Sequence, residues 1–177
     1  MGKRIEVLIS GFGGQGVVRL GQILAQVSVD ENLYTTMLVS HGTETRGGYV
    51  RTQVVISDAP VDSPVCEDPD FLVAMSKAAY NKFKPLVSQG VIIYEPYYVE
   101  QDHGLHCRQI SVNAREMAIN ELGREIYANV VVLGYLTRLL DGTLSKDQVL
   151  KVMLQKIPKF HEENKKAFEL GYSLAVS

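Results

Sequence analysis

Ile5-Glu6-Val7-Leu8-Ile9-Ser10-Gly11-Phe12-Gly13-Gly14-Gln15-Gly16 is a short apolar strand running straight into a glycine loop. The next residues, from Gln15 to about Asn32, carry Leu20, Ile23, Leu24 and Val27 at helical spacing, which gives a helix with one buried stripe. Glycines at 11, 13 and 16 fit G-x-G-x-x-G in the order the motif needs, strand then loop then helix. Without Cβ atoms the loop can turn tightly and let ligand oxygens reach its N–H groups. The helix dipole adds partial positive charge at the same place. Two readings stand side by side: a seat for a phosphate ester, or a glycine turn that only lets the helix pack on its strand.

Downstream, the alternation of strand and helix continues. Tyr34–Val39 reads as a second strand, and Tyr49–Ser57 as a third. In the third, Val50, Thr52, Val54 and Ile56 face one way and Arg51, Gln53 and Val55 the other, a pattern that predicts one wetter face. Pro60, Pro64 and Pro69 keep the following stretch irregular. Phe71–Met75 is a continuous apolar strand of the kind buried on both faces. Ser76 caps a helix over Lys77–Val87, Val91–Tyr94 and His106–Val112 are further strands, and Tyr97–Gly104 reads as an exposed connection. Asn113 caps a helix to Leu122, and after Gly123 the pattern stays helical, broken at Asp141-Gly142 and Pro158. The expectation is an α/β, Rossmann-like fold: one domain over 1–177, a mostly parallel sheet with flanking helices, and a carboxy-terminal helical extension.

Composition narrows the function classes. The 177 residues are 46% apolar and 21% charged, with a formal net charge of −2, an ordinary globule without the basic footprint of a nucleic-acid binder. The apolar run Ile126–Leu140 is interrupted by Asn129, Thr137 and Arg138 and falls short of the roughly 20 residues that cross a bilayer. It reads as a buried helix, so no membrane partner is expected. The opening Met-Gly-Lys-Arg and five-residue apolar strand are too short for a signal-peptide core, and Glu6 stands where a myristoylation signal needs Ser or Thr. The expected compartment is the cytoplasm. Two cysteines, Cys66 and Cys107, are too few for a four-thiolate iron–sulfur cluster, and a reducing compartment disfavours their disulfide. His103, His106 and Cys107 lie close in sequence but lack an evident fourth ligand; no metal site is expected.

The loop Ser40-His41-Gly42-Thr43-Glu44-Thr45-Arg46-Gly47-Gly48 is the second informative stretch. It follows a strand's carboxyl end near the glycine loop, where open α/β sheets bind ligands. Arg46 can hold a phosphate or carboxylate bidentately while Glu44 orients it or meets a partner chain; the plain alternative is a surface ion pair in a turn. Arg19, in the second turn of the first helix, is a weaker candidate. A nicotinamide site wants an acid at the end of the second strand, and Ser40 and His41 stand there instead. No G-x-S-x-G elbow and no G-x-x-x-x-G-K-[ST] loop occurs. Glu162-Glu163 beside Lys165-Lys166 is a solvated helix face.

Taken together, Gly11–Gly16, Gly21-x-Ile23-Leu24-Ala25, Gly42–Gly48, Ile56-Ser57-Asp58, Asn129-x-x-x-Leu133-Gly134 and Asn164–Tyr172 resemble the gamma subunit of 2-oxoacid:ferredoxin oxidoreductases. His41 and Thr43 depart from the family's common Tyr and Pro. The resemblance implies a part in coenzyme A-dependent oxidative decarboxylation of a 2-oxoacid, 2-oxoglutarate being the first choice over pyruvate or indolepyruvate, with electrons passed to ferredoxin. It implies alpha and beta partner subunits, with delta in some branches, that hold thiamine diphosphate and the iron–sulfur clusters. This chain would hold no catalytic residue. Its contact would be with coenzyme A through Gly11, Phe12, Gly13, Gly14, Gln15 and Gly16, with Glu44, Arg46 and Gly47 from the second loop. A stand-alone NAD(P)-binding oxidoreductase and a purely structural assembly subunit are the competing readings. Isolated, the chain is expected to pair with itself over apolar surface meant for partners.

Overall fold

A computed structural model describes residues 2–42 and 48–176. They form two compact units, one reaching to Val112 and one starting at Asn113. The first unit carries a six-stranded sheet in the order β2-β3-β1-β4-β5-β6. These strands are β1 (Arg4–Gly11), β2 (Tyr34–His41), β3 (Val50–Ser57), β4 (Phe71–Ala74), β5 (Val91–Tyr94) and β6 (Arg108–Ser111). The sheet is mixed. β1, β4, β5 and β6 run parallel, while β3 lies antiparallel between β1 and β2.

Helix α1 (Val17–Asp30) follows the glycine loop and buries Leu20, Ile23, Leu24 and Val27. Gly21 is the point of closest approach, because a methyl there would overlap the Thr52 methyl on β3. Helix α2 (Lys77–Phe83) begins at Ser76, whose Oγ accepts the Ala79 N–H at 3.2 Å. A short 3-10 turn, Lys84–Leu86, completes the expected helical stretch because Pro85 lacks the N–H that would continue it. On the α2 side, Leu8, Val55, Leu72, Tyr80, Phe83, Ile92 and Tyr94 share one core.

Two expectations need correction. The third strand has no wet face: from Thr52 to Ser57 every residue is buried, since α1 packs on the Thr52 face, the α2-side core covers Val55 on the other, and the polar Gln53 accepts the Cys66 N–H at 2.9 Å. The wetter strand is β2, at the sheet edge. Nor is Tyr97–Gly104 simply exposed. Val99 is buried and Tyr98 packs against the same core, while Lys84 Nζ reaches Asp102 Oδ2 at 2.8 Å.

The second unit is helical: α3 (Ala114–Leu122), α4 (Ala128–Leu139), α5 (Lys146–Lys156) and α6 (His161–Tyr172). α4 is the expected buried helix, with every residue from Val130 to Thr137 covered. Among the described residues no helix is long and apolar enough to cross a membrane.

Candidate functional site at the carboxyl end of the sheet

The chain leaves β1 toward α1 on one side, while β4 leads to α2 on the other, so a topological switch point opens beside Gly11. Gly11 is the last residue of β1 and is buried. A side chain there would overlap Gln15 Oε1 and press within 2.9 Å of Met75 Cβ. The space is used by Gln15, whose Oε1 accepts the Phe12 N–H at 2.6 Å and whose Nε2 donates to the Met75 carbonyl at 3.0 Å. The Gln15 side chain thus straddles the elbow and ties it to the end of β4. Of the Gly11–Gly16 amides, the Phe12 N–H is thus consumed within the elbow, and the Gln15 side chain is a brace.

Gly13 and Gly14 are exposed, and a Cβ built on either meets nothing within 4 Å. Gly14 and Gly16 sit at φ 88° and 77°, left-handed backbone that suits glycine. Gly16 is the N-cap of α1 and so offers no side-chain cap, and the first turn holds no acid. The first-turn amides of α1 therefore lack the oxygen that Ser76 gives α2, which is the arrangement that accepts an external anion.

Around this elbow stand residues from four other segments. Phe12 makes an edge contact with Tyr98 at 5.8 Å, and Tyr98 another with Tyr97 at 4.8 Å. Ser10 Oγ donates to the Val50 carbonyl at 2.9 Å. Arg51, directly across from Ser10 on one side and Ser40 on the other, donates from Nε to Ser40 Oγ at 2.9 Å and lies 5.3 Å over the Phe83 ring. Sequence reasoning passed over Arg51 and the Gln15 brace. A cation on one side of an alternating strand reads as solvent-facing, and a glutamine in a glycine loop looks like a ligand contact. Arg19 is exposed on α1. Glu44, Arg46 and Gly47, with Thr43 and Thr45, lie outside the described residues.

Burial holds both thiols toward the protonated form. Burial, aided by Glu6, pushes the Cys66 thiol up to about 12, and its Sγ lies 3.7 Å from the Val7 carbonyl. Burial also raises the half-buried Cys107. Since the thiolate is the nucleophile, native protein at pH 8 is expected to give slow reaction at Cys107 alone with a thiol reagent, and Cys66 only after unfolding. Rapid reaction of both would contradict this. His103 and His106 are exposed, and among the described residues no three His, Cys, Asp or Glu side chains are placed to hold a metal ion.

Comparison with known proteins places the whole chain in one family. Residues 6–174 match the model of the family described as pyruvate ferredoxin/flavodoxin oxidoreductase. The 2-oxoglutarate synthase subunit KorC of Methanocaldococcus jannaschii is 37% identical, covering 97% of this chain and 94% of that one. The structure of a keto/oxoacid ferredoxin oxidoreductase gamma subunit from Geobacter sulfurreducens superposes with a TM-score of 0.83 at 32% identity, over 96% and 95% of the two chains. The same fold recurs in the 2-oxoglutarate:ferredoxin oxidoreductase of Magnetococcus marinus, with a TM-score of 0.86 at 22% identity, where it takes up 32% of a longer chain. The overall architecture is therefore a known one, and the chain belongs to the pyruvate ferredoxin/flavodoxin oxidoreductase family as a gamma-type subunit.

Proposed function

We propose that this chain is the gamma subunit of an enzyme that oxidatively decarboxylates 2-oxoglutarate, delivers the acyl group to coenzyme A and passes the electrons to ferredoxin. End-to-end similarity to a 2-oxoglutarate synthase subunit is the observation that carries the substrate choice. Within that enzyme the chain's own task is to receive the coenzyme A phosphates on the amides of Gly13, Gly14 and the first turn of α1. Gly11, Phe12 and Gln15 shape the elbow, and Glu44, Arg46 and Gly47 are assigned to the same ligand from their sequence alone. The fit rests on open backbone at Gly13 and Gly14 and on a helix start with neither cap nor acid.

Thiamine diphosphate and the clusters belong to the partner alpha, beta and, where present, delta subunits of a cytoplasmic complex. Thiamine diphosphate there supplies the decarboxylation chemistry. This chain's donor set does not suit the clusters, since of its two thiols Cys66 is buried and is held protonated.

Gly13 offers a clean test, because its surroundings are empty and its φ is not positive. Gly13→Trp is expected to leave folding and assembly intact and to raise the KM for coenzyme A at least about tenfold, a loss of about 1.4 kcal/mol. Thiamine diphosphate content and the KM for the oxoacid should stay unchanged. An unaltered coenzyme A KM would remove the docking role and leave a scaffolding subunit. The rival nicotinamide reading lacks its ribose acid, as β2 ends at Ser40 and His41; titration of the isolated chain with NAD and NADP is expected to show no binding.

A further inference from the structure

Arg51 stands out among the cations of the first unit. It is half-buried, its Nε is fixed by Ser40 Oγ, and its plane is held 5.3 Å over Phe83. Yet no carboxylate among the described residues lies within ion-pair distance of it. The other half-buried cations of this unit behave differently: Arg4 grips Glu6 at 2.9 Å and Lys84 grips Asp102 at 2.8 Å. Partial removal of a guanidinium from water without a counter-charge costs free energy, and a rigidly aimed fork with unused N–H donors is suited to an oxyanion. Its place is set by register. Arg51 pairs across the ladder with Ser10, the residue before Gly11, so its backbone lies beside the end of β1 that leads into the glycine elbow.

We propose that Arg51 binds the ribose 3′-phosphate of coenzyme A. The inference rests on the coenzyme A reading of the elbow and extends it to a second anionic group. The division of labour follows from charge. Neutral backbone amides and a helix dipole suit the diester-like pyrophosphate, whereas a terminal monoester carries close to two charges at neutral pH and calls for a formal cation. Of the described cations near the elbow, Arg19 is exposed on α1, while Arg51 is oriented in advance by an aromatic face and a hydroxyl. Orientation before binding lowers the entropy lost on binding.

The test is equilibrium binding to the assembled enzyme, with coenzyme A and with dephospho-coenzyme A, which lacks only the 3′-phosphate. Wild-type enzyme is expected to prefer coenzyme A by at least about tenfold in Kd, the size of one charge-assisted contact. Arg51→Gln should abolish that preference, weakening coenzyme A to the level of dephospho-coenzyme A and leaving the latter unchanged. Arg51→Lys, which keeps charge but not the fork, should retain part of the preference, and it serves where the Gln variant fails to assemble. Equal weakening of both ligands, or no change in either, would overturn the assignment. If instead wild type binds neither ligand, the coenzyme A reading fails with it. A normal preference ratio in Gly13→Trp with both ligands weakened would separate the elbow's role from that of Arg51. A rise only in the KM for the oxoacid in Arg51→Gln would assign the guanidinium to a substrate carboxylate and would equally overturn the proposal.

Discussion

Gly171→Ala is expected to destabilise the helical unit by about 3 kcal/mol, the upper end of the usual cost of overpacking. A methyl on Gly171 of α6 would overlap the Val131 carbonyl oxygen of α4 and come within 2.9 Å of the Tyr135 nitrogen. The contact is reciprocal: a methyl on Gly134 of α4 would overlap the Phe168 carbonyl oxygen and come within 2.9 Å of the Tyr172 nitrogen. Each helix therefore presses a bare backbone patch against the other's main chain. Side-chain clashes can relax by changing rotamer, but here the obstacle is backbone, so the helices must part. That separation would loosen α4, whose residues Val130 to Thr137 form the buried centre of the unit. Native-state hydrogen exchange of the α4 and α6 amides, together with urea melting of the full chain, measures the loss. Gly123→Ala is the control, because Gly123 ends α3 at φ 77° with nothing within 4 Å. It should cost only about 1 kcal/mol of backbone strain. Comparable losses in the two variants would refute the backbone-contact account.

The strand–loop–helix at Ile5–Asn32 and the buried helix within Ile126–Leu140 were legible because each is local. Period-3.6 apolar spacing and glycine punctuation carry the information within a dozen residues. What could not be read depends on which segments become neighbours. β3 follows an alternating pattern but is inserted between β1 and β2, so Arg51 and Gln53, read as wet, meet Phe83 and the Cys66 amide instead. Gln15 sits in a motif whose amides attract attention, yet its side chain spends both ends on Phe12 and Met75. Part of the glycine signature thus makes room for a brace, while Gly13 and Gly14 stay exposed with open space around them. The pairing of Gly134 with Gly171 joins residues far apart in sequence, and periodicity carries no information at that range.

Glu6, the one acid in β1 and flanked by the apolar Ile5 and Val7, should prove nearly as sensitive. Its Oε1 accepts from Arg4 Nε at 3.1 Å and Nη2 at 2.9 Å, and its Oε2 accepts the N–H groups of Glu67 at 2.9 Å and Asp68 at 3.1 Å. Arg4 Nη2 in turn donates to the carbonyls of Ser63 and Val65. At the next step along the strand, the Glu6 N–H is taken by Asp70 Oδ2 at 2.8 Å, just ahead of the point where β4 begins to pair at Val7. One carboxylate therefore anchors the irregular stretch between Pro60 and Phe71, which has no ladder of its own. Glu6→Ala leaves the Arg4 guanidinium with only the Ser63 and Val65 carbonyls and the exposed Asp62 at 3.6 Å and deprives two amides of their acceptor, and a cost of about 3 kcal/mol is expected, the low end for removing one partner from a buried ion pair. Glu6→Gln keeps one acceptor oxygen and should lose about half as much, the difference between charged and neutral hydrogen bonds. Protease cleavage within residues 60–70 and exchange of the Glu67 and Asp68 amides report the loosening directly. The same loss should open Cys66, which lies inside that stretch and is held in the core next to Val7, so thiol reagent should reach it in Glu6→Ala without global unfolding. Protection of Cys66 equal to wild type, with stability changed by less than about 0.5 kcal/mol, the range of an ordinary surface substitution, would show that the strand pairing alone holds this segment in place.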